Sequence, residues 1–433
     1  MRLDKASCGN WWREGWKSDQ VFVSSADRQI LRELALRLRE YAERPSEAEK
    51  VRLWTAHNDL ERTRPLVFID PENGWNEILT FDRDIKCTGE MAQDWEMWLR
   101  KELFWAESMK DDRVVEAMFY LPYKATDTQW GIEETRIGGE DKTQAYVWEA
   151  PIRDFETDLA LVQTPRIIVD HETTNRTLAL AREVFDGILG VEIRHKWWHA
   201  QTITLDYTHL RGLEQMLYDF YDYPDKFHQL MGLIRDGYRA KSQFLEDNGL
   251  LCANHNSSYT GSGGFGYTKQ LPAPGFDAKH VRQKDMWLFL ESQETSTISA
   301  EMFGEFILPY QIDMAEPFGL LSYGCCEPID ARWEYVKQLP HLRRVSVSAW
   351  ASVEKMAEYL GGDYVFSYKP SPSYLAVPDM DEEYLHASIR DMLKKTKDCH
   401  VEIIMKDNHT LAHQPRNATR WVEIVREEIE RMD

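Results

Sequence analysis

Ionisable and sulfur-containing side chains stand at or just beyond the ends of apolar, strand-like runs of this sequence. Six of them follow three runs: Glu291 and Glu294 at the end of 285–292, Tyr323, Cys325 and Cys326 at the end of 319–325, and His409 after 400–406. In a barrel of parallel strands, residues at the carboxyl ends of the strands meet in one mouth. The spacing therefore predicts a catalytic site built from distant stretches of the chain.

The residue types at these ends indicate two kinds of chemistry. Cys325, His409 and Glu291 offer the sulfur, nitrogen and oxygen ligands that zinc binds, and a catalytic zinc keeps one further position open. We therefore expect zinc as a Lewis acid here, with Cys326 as the alternate thiolate, although one buried thiol beside an incidental neighbour is the simpler interpretation. Repulsion between Glu291 and Glu294 would raise the pKa of one carboxyl and make it a general acid, unless one of them caps a helix.

Aromatic and polar residues after two further runs, 190–195 and 250–255, are predicted to bind substrate. They are His195, Trp197, Trp198, Asn254 and His255, joined by Glu294. Indole rings stack well on flat substrates, but packing in a core or interface explains them equally well. The glycine-rich segment 261–266 fits G-x-G-x-x-G, yet prolines follow it instead of a helix, so we expect a mobile loop or lid and no dinucleotide site.

The alternation of strand-like and helical segments predicts the fold. Seven runs between residues 190 and 406 are separated by helical or loop segments, as parallel pairing requires. An earlier run at 116–123 brings the number to eight, which predicts an α/β fold of the (β/α)8 TIM barrel type; an open doubly wound sheet is the alternative. We assign residues 1–62 to an N-terminal helical extension and 63–433 to the barrel, with an excursion near 124–165.

Composition excludes several classes of protein. The chain has 433 residues and a formal charge of −21, from 52 basic and 73 acidic side chains. Such a charge repels phosphate groups, so we expect neither nucleic-acid nor membrane binding. There is no signal-peptide pattern, no apolar run of about 18 residues, and too few cysteines for a disulfide scaffold. We expect a soluble cytoplasmic protein, whose N-terminal helices either cover the barrel or form a homodimer.

Three stretches toward the C-terminus have a familiar order. In DMWLFLESQETSTISAEMFGEFILPYQ (285–311), an acidic strand end at Glu291 precedes Ile298–Ser299 and a helix with F-I-L-P-Y. A strand–helix–Gly–strand–Pro pattern follows over 346–376, and VEIIMKDNHTLAHQP begins the last strand and closing helix. From about residue 190 onward, this order resembles the uroporphyrinogen decarboxylase superfamily, in particular its corrinoid-linked methyltransferase branch.

The resemblance implies a function of the O-demethylase type. The chain lacks the Met-Arg-Gln-Ala-Gly-Arg segment of the true decarboxylases, whereas Tyr323-Gly324-Cys325 and Asn408-His409 stand where the methyltransferases place zinc ligands. The implied reaction moves a methyl group from a small donor, such as a methoxylated aromatic, to a corrinoid on a partner protein. Glu291, Tyr323 or His409 would protonate the leaving oxygen. A decarboxylase or lyase, a glycoside hydrolase barrel with two carboxylates, and a non-catalytic relative are the alternatives.

Overall fold

A computed structural model describes residues 17–138 and 147–432. Its strands are β1 (Leu66–Ile69), β2 (Met118–Leu121), β3 (Ala125–Asp127), β4 (Thr135–Ile137), β5 (Val147–Glu149), β6 (Ile167–Val169), β7 (Gly190–Ile193), β8 (Tyr259–Thr260), β9 (Gly264–Phe265), β10 (Trp287–Leu290), β11 (Leu320–Tyr323), β12 (Leu342–Val347), β13 (Val365–Tyr368) and β14 (His400–Met405).

The helices lie between and around these strands. They are α1 (Ser25–Ala42), α2 (Pro45–Asn58), α3 (Trp75–Ile78), α4 (Phe81–Asp84), α5 (Glu90–Phe104), α6 (Phe155–Asp158), α7 (His171–Val184), α8 (Ile203–Arg211), α9 (Leu213–Asp222), α10 (Pro224–Asp247), α11 (Ala300–Phe306), α12 (Leu308–Ala315), α13 (Trp333–Val336), α14 (Val353–Leu360), α15 (Glu382–Lys395) and α16 (Arg416–Glu430). No helix of the described ranges is long and apolar enough to cross a membrane.

Eight parallel strands form two separately hydrogen-bonded groups. Six of them make one sheet in the order β1-β14-β13-β12-β11-β10, and β2 pairs with β7. The chain therefore has the predicted α/β architecture with parallel strands. Within the described residues, however, backbone hydrogen bonds do not close these strands into one ring.

Side chains cover both edges of the six-stranded sheet. At the β1 edge, the Asp112 carboxylate accepts from the Val67 backbone N–H at 2.8 Å, and Asp112 N–H donates to the Val67 carbonyl at 2.7 Å. At the β10 edge, the Asn254 amide accepts from Trp287 N–H at 2.8 Å and donates to its carbonyl at 2.9 Å. A side-chain carboxylate or amide can satisfy backbone groups as a neighbouring strand would. Strand pairing therefore ends at these two edges.

Three expectations about individual segments were wrong. The run 250–255 is not a strand, because its Asn254 side chain occupies the pairing positions of β10. The run 64–70, which the predicted ring leaves out, contains the edge strand β1. The glycine-rich segment is also no lid: it folds into the antiparallel β8–β9 hairpin, whose residues 260–267 are buried.

The buried hairpin explains its glycines. A Cβ atom on Gly266 would lie 1.7 Å from the Asn254 carbonyl oxygen, and one on Gly264 would lie 2.4 Å from the Arg344 guanidinium carbon. Phe265 of the same hairpin packs edge-on against Trp54 and Phe68 in the main core. The hairpin therefore fills space inside the fold, and side chains at these positions would displace its neighbours.

The stretch from about 25 to 60, which the sequence predicts to be helical, forms the two helices α1 and α2. Helix α1 begins after Ser24, whose hydroxyl accepts from Asp27 N–H, and its buried leucines join a cluster with α5, β2 and α7. Helix α2 places Trp54 in the main core, where its indole donates to the Asp112 carbonyl at 2.8 Å. Residues 1–16 lie outside the described ranges, and the division at residue 62 stays a prediction.

The predicted excursion near 124–165 contains short antiparallel strands of its own. Strand β3 pairs with β6, and β4 pairs with β5. The polar composition of this stretch favours such short pairs at the surface over a buried parallel strand. Residues 139–146, between β4 and β5, lie outside the described ranges.

Candidate active site at the strand ends

A cysteine thiolate stands at the carboxyl end of β11. The sulfur of Cys325 accepts hydrogen bonds from the Lys406 ammonium at 3.7 Å and from the Ser262 hydroxyl at 3.6 Å. A hydrogen bond from Cys326 is the main reason why the pKa of Cys325 falls to about 6; burial opposes the shift, and Lys406 and Ser262 support it. Because a positive neighbour and hydrogen-bond donors stabilise the thiolate, Cys325 is largely ionised at neutral pH.

The neighbouring cysteine differs in exposure and charge. Cys326 is exposed, and its sulfur lies 3.8 Å from that of Cys325 and 3.7 Å from a carboxylate oxygen of Asp407. Its hydrogen bond with Cys325, together with burial of its sulfur, raises the pKa of Cys326. The pair therefore consists of one thiolate and one thiol.

Two buried glutamates connect the ends of β10 and β11. The Glu327 carboxylate accepts from Ser292 N–H at 3.0 Å and from Cys325 N–H at 2.9 Å, and burial raises its pKa to about 7. Burial, followed by the charges of Glu294 and Glu327, raises the pKa of Glu291 well above its usual value. Its Oε1 atom is buried without a hydrogen-bond partner among the described residues. Burial and these charges thus favour the protonated form of the Glu291 carboxyl.

A third carboxyl group with a raised pKa lies just beyond the end of β1. Burial and the charge of Asp70 raise the pKa of Glu72 to about 8, against the opposing charge of Lys406. Glu72 and Asp407, at the ends of the paired strands β1 and β14, both have positive φ values, of 46° and 60°. Left-handed backbone at non-glycine residues is uncommon and often marks functional positions.

Lys406 lies at the centre of this group of charges. Its ammonium is 2.9 Å from the Asp407 carboxylate as well as 3.7 Å from Cys325. Burial alone would lower the pKa of Lys406, but the charges of Cys325 and Asp407 raise it. Sequence analysis assigns no role to Lys406 or Glu72. Lys406 could have been selected, because it stands at the end of a predicted strand. Glu72 could not, because the strand that precedes it was not included in the predicted ring.

Two predicted proton donors lie apart from the thiolate. Tyr323 is 1% exposed, and its hydroxyl contacts Gln311 Oε1 and the Ser292 hydroxyl, both at 3.1 Å. His409 is exposed, and its Nδ1 atom lies 3.4 Å from the Asn73 amide nitrogen. The structure thus groups Glu291 and Cys325 around Glu327 but places neither Tyr323 nor His409 in hydrogen-bond contact with them. The catalytic roles of Tyr323 and His409 stay predictions.

The residues at the strand ends do not fit the expected zinc site. Across 17–138 and 147–432, no group of three or more His, Cys, Asp or Glu side chains is arranged to hold a metal ion. The Lys406 ammonium, itself a cation, contacts the Cys325 sulfur that was expected to bind zinc. His409 is turned to solvent beside Asn73. No step proposed below therefore involves zinc.

An inner cavity of about 160 Å³ lies between the β2–β7 pair and β10. Four of the predicted substrate residues line it: His195, Trp197, Trp198 and Asn254. The Trp197 ring stacks on Tyr123 at 5.6 Å, and its indole N–H donates to the Leu250 carbonyl at 2.9 Å. Burial lowers the pKa of His195 to about 4, so its imidazole is neutral. The walls therefore offer aromatic faces and a neutral imidazole.

Charged side chains occupy two sides of the cavity. The Arg194 guanidinium lies 3.4 Å from the Tyr120 ring centroid, donates to the Ser257 hydroxyl at 2.7 Å, and pairs with Glu116 at 3.4 Å. Elsewhere on the wall, Lys196 Nζ lies 2.9 Å from His199 Nδ1. Lys196, burial and the charge of Lys406 together lower the pKa of His199. The pKa of His199 therefore depends on the charge of Lys406, the lysine that contacts the Cys325 sulfur.

The other two predicted substrate residues lie outside this cavity. Glu294 accepts from the Thr204 hydroxyl at 2.7 Å and lines a shallow depression at the strand ends with Cys326, Glu327 and the exposed Trp350. The His255 ring lies edge-on to Phe276, with 5.6 Å between centroids. Their roles in substrate binding stay predictions.

Comparisons with known proteins add little to this geometry. No family model matches the chain, and no curated protein matches it. Among solved structures, the chain is similar to a methyltransferase from Methanosarcina mazei, with 11% identity, coverage of 87% of this chain and 97% of that chain, and a TM-score of 0.46. At that identity and TM-score, the likeness supports no conclusion about the activity of this chain.

Proposed function

We propose that this protein is a cytoplasmic methyltransferase of the O-demethylase type, which moves a methyl group from a small methoxylated aromatic donor to a corrinoid on a partner protein. The observation that carries the proposal is the aromatic-lined cavity. Its wall includes Gly261, whose neighbour Ser262 bonds to Cys325, and Phe289 of the strand that ends just before Glu291. The segment order from about residue 190 onward supports the same branch of the superfamily. We also infer a (β/α)8 barrel in which Asp112 and Asn254 bridge the two gaps between strand groups.

The cavity fits a flat donor of one ring. Aromatic rings contribute dispersion and quadrupole contacts to such a donor without requiring charge. Trp197 is held in place by its hydrogen bond and its stack on Tyr123, so its free face is pre-oriented. The neutral imidazole of His195, 3.9 Å from the Trp197 ring centroid, can hydrogen-bond to an ether or hydroxyl oxygen.

Methyl transfer from an ether requires help for the leaving oxygen. An alkoxide or phenoxide leaves more readily when a nearby acid protonates it in the transition state. Glu291 is the predicted donor that we favour, because burial and the charges of Glu294 and Glu327 raise its pKa. Glu327, with a pKa near 7, can exchange protons with the surroundings and restore the Glu291 acid.

The acceptor approaches from the strand ends. The partner's corrinoid would supply the nucleophile that accepts the methyl group. The shallow depression beside Cys326 and Trp350 opens to solvent at this end, so it is the face that we assign to the partner.

Methyl transfer to free cob(I)alamin from a panel of methoxylated aromatics tests the proposal. We expect a methylcobalamin spectrum together with an equimolar phenol product, and a loss of about 100-fold in E291Q, typical of a removed general acid. The matched control is E301Q, an exposed glutamate in the first turn of α11. Carbon dioxide release from carboxylated aromatics without methyl transfer would favour the decarboxylase alternative and overturn the proposal, as would no turnover of either type.

A further inference from the structure

Cys325 and Cys326 are arranged differently from the other described cysteines. The thiols of Cys87, Cys252 and Cys399 each donate to a backbone carbonyl oxygen. Cys325 instead accepts from an ammonium and a hydroxyl, which stabilise negative charge on its sulfur. A thiolate, and not a thiol, is the nucleophile in sulfur chemistry.

The second cysteine is positioned to react with the first. The two sulfur atoms are 3.8 Å apart, Cys326 is exposed, and its sulfur lies 3.7 Å from the Asp407 carboxylate. This carboxylate can take the Cys326 proton when the sulfur becomes a nucleophile. Cys325 itself is half-buried, and the exposed thiol beside it stands where the second cysteine of an oxidant-sensing pair is needed.

We propose that Cys325 and Cys326 form a redox pair that reacts with hydroperoxides and closes to a disulfide between adjacent residues. The Cys325 thiolate attacks the terminal peroxide oxygen, and the O–O bond breaks. Its electron pair leaves on the other oxygen, which takes a proton from water to give an alcohol, or water when the oxidant is hydrogen peroxide. The product at Cys325 is a sulfenic acid.

The second step uses Cys326. Its sulfur attacks the Cys325 sulfur, so an S–S bond forms while the S–O bond breaks. The departing hydroxide combines with the proton that Asp407 has accepted from Cys326, giving water. Overall, one hydroperoxide, one thiolate and one thiol become one alcohol, one hydroxide and one disulfide. The water used in the first step is returned in the second, and the peroxide is reduced as the cysteines are oxidised.

Chain geometry makes this disulfide easy to reverse. Adjacent Cα atoms are about 3.8 Å apart across a trans peptide, which is less than the span of about 4.4–6.8 Å that ordinary disulfides bridge. Such a bond is strained and readily reduced. Oxidation also removes the thiolate from Lys406. The cysteine pair is therefore a site of reversible modification. The redox proposal does not depend on the proposed methyl transfer.

The test is oxidation of the full-length, pre-reduced protein by one equivalent of hydrogen peroxide, followed by intact-mass measurement and peptide mapping. We expect loss of two hydrogen atoms, mapped to residues 325–326, and reversal by dithiothreitol. In C326S, dimedone should label Cys325 as a trapped sulfenic acid, whereas C399S should behave as wild type. Oxidation that appears first at another of the six cysteines, or dimedone labelling of the wild type without disulfide, would overturn the pairing.

The role of Lys406 is tested separately by rate. At pH 5, below the midpoint of Cys325 ionisation, K406M should oxidise at Cys325 about tenfold more slowly, because the thiolate fraction falls, while K406R keeps a cation and most of the rate. Equal rates in K406M and the wild type would show that the ammonium does not activate Cys325. If K406M fails to fold, as judged by circular dichroism, S262A replaces it: a slower rate than wild type is expected, and an equal rate would contradict activation by these donors.

Discussion

The Asn254 side chain and the Trp287 main chain form two hydrogen bonds, one in each direction, at 2.8 Å and 2.9 Å. The amide thereby pairs with both backbone groups of Trp287 at the edge of β10. Both residues also line the inner cavity. One side chain therefore completes the sheet edge and holds the cavity wall in place.

Replacement of this amide should destabilise the fold. N254A leaves the Trp287 N–H and carbonyl without partners in a buried position, which costs about 1–3 kcal/mol for each unsatisfied group. We expect a fall in the free energy of unfolding of about 2–4 kcal/mol on the same principle, measured by urea denaturation. N248A is the matched control, because Asn248 is exposed and its amide donates to Phe244 within a helix end. Equal stability of the two variants would contradict the bridging role.

The β8–β9 hairpin should tolerate no side chain at Gly266. Its Cβ would meet the Asn254 carbonyl oxygen at 1.7 Å, and backbone cannot yield as a flexible side chain does. We expect G266A to lose at least about 1–3 kcal/mol of unfolding free energy, the usual cost of overpacking. G362A is the control, because nothing lies within 4 Å of its added Cβ, and its effect should stay within about 0.5 kcal/mol. A stable G266A would show that the hairpin is not fixed in the interior.

Sequence patterns predicted which segments form strands better than they predicted what each segment would pair with. The parallel strands from β10 to β14 were predictable because each is a short apolar run followed by a crossover segment. That residues 250–255 form no strand was not predictable, because periodicity cannot show that Asn254 will bond to Trp287 through its side chain. The buried hairpin was missed for a similar reason: glycines indicate turns, while their burial depends on Arg344 and Ile404 from distant strands.

The candidate site shows the same limit. Residue type and strand-end position were enough to select Glu291 and Cys325, since polar residues at these ends converge. They could not show that Lys406 contacts Cys325, because that depends on side-chain direction at the ends of β11 and β14. His409, which has the right chemistry for a ligand, is exposed beside Asn73, and residue type alone could not show this.

A buried ion pair on the central strands should make the free energy of unfolding depend on pH in the acidic range. Burial opposes ionisation of Glu402, but Arg344, 3.1 Å away, and His57 lower its pKa to about 2. Because the pKa of Glu402 is lower in the folded than in the unfolded protein, its ionised carboxylate stabilises the fold. This stabilisation is complete above the unfolded pKa, near 4.5, and is lost as the pH falls toward about 2. E402Q should lose about 3–5 kcal/mol at pH 7 and a smaller amount near pH 3, measured by denaturation across pH. A pH-independent difference would contradict the ion pair.

The ionisation of Cys325 should depend on the positive charge of Lys406. In wild type, alkylation of Cys325 by iodoacetamide should rise with pH around its pKa of about 6. K406M removes the ammonium 3.7 Å from the sulfur, so the midpoint should move upward by on the order of one pH unit. K395M, which removes an exposed ion-pair lysine of α15, is the charge-matched control and should leave the midpoint unchanged. Identical profiles for wild type and K406M would contradict the contact.

The Glu72 carboxyl should titrate near pH 8 because it is buried beside Asp70. D70N removes that like charge, so the pKa of Glu72 should fall, and carbon-13 NMR of labelled glutamates can follow it. The folded pKa lies above the unfolded value of about 4.5, so ionisation destabilises the fold as pH rises from there through about 8. E72Q should abolish this part of the pH dependence and assign the signal. A Glu72 midpoint that stays the same in D70N would contradict the coupling between these two carboxyl groups.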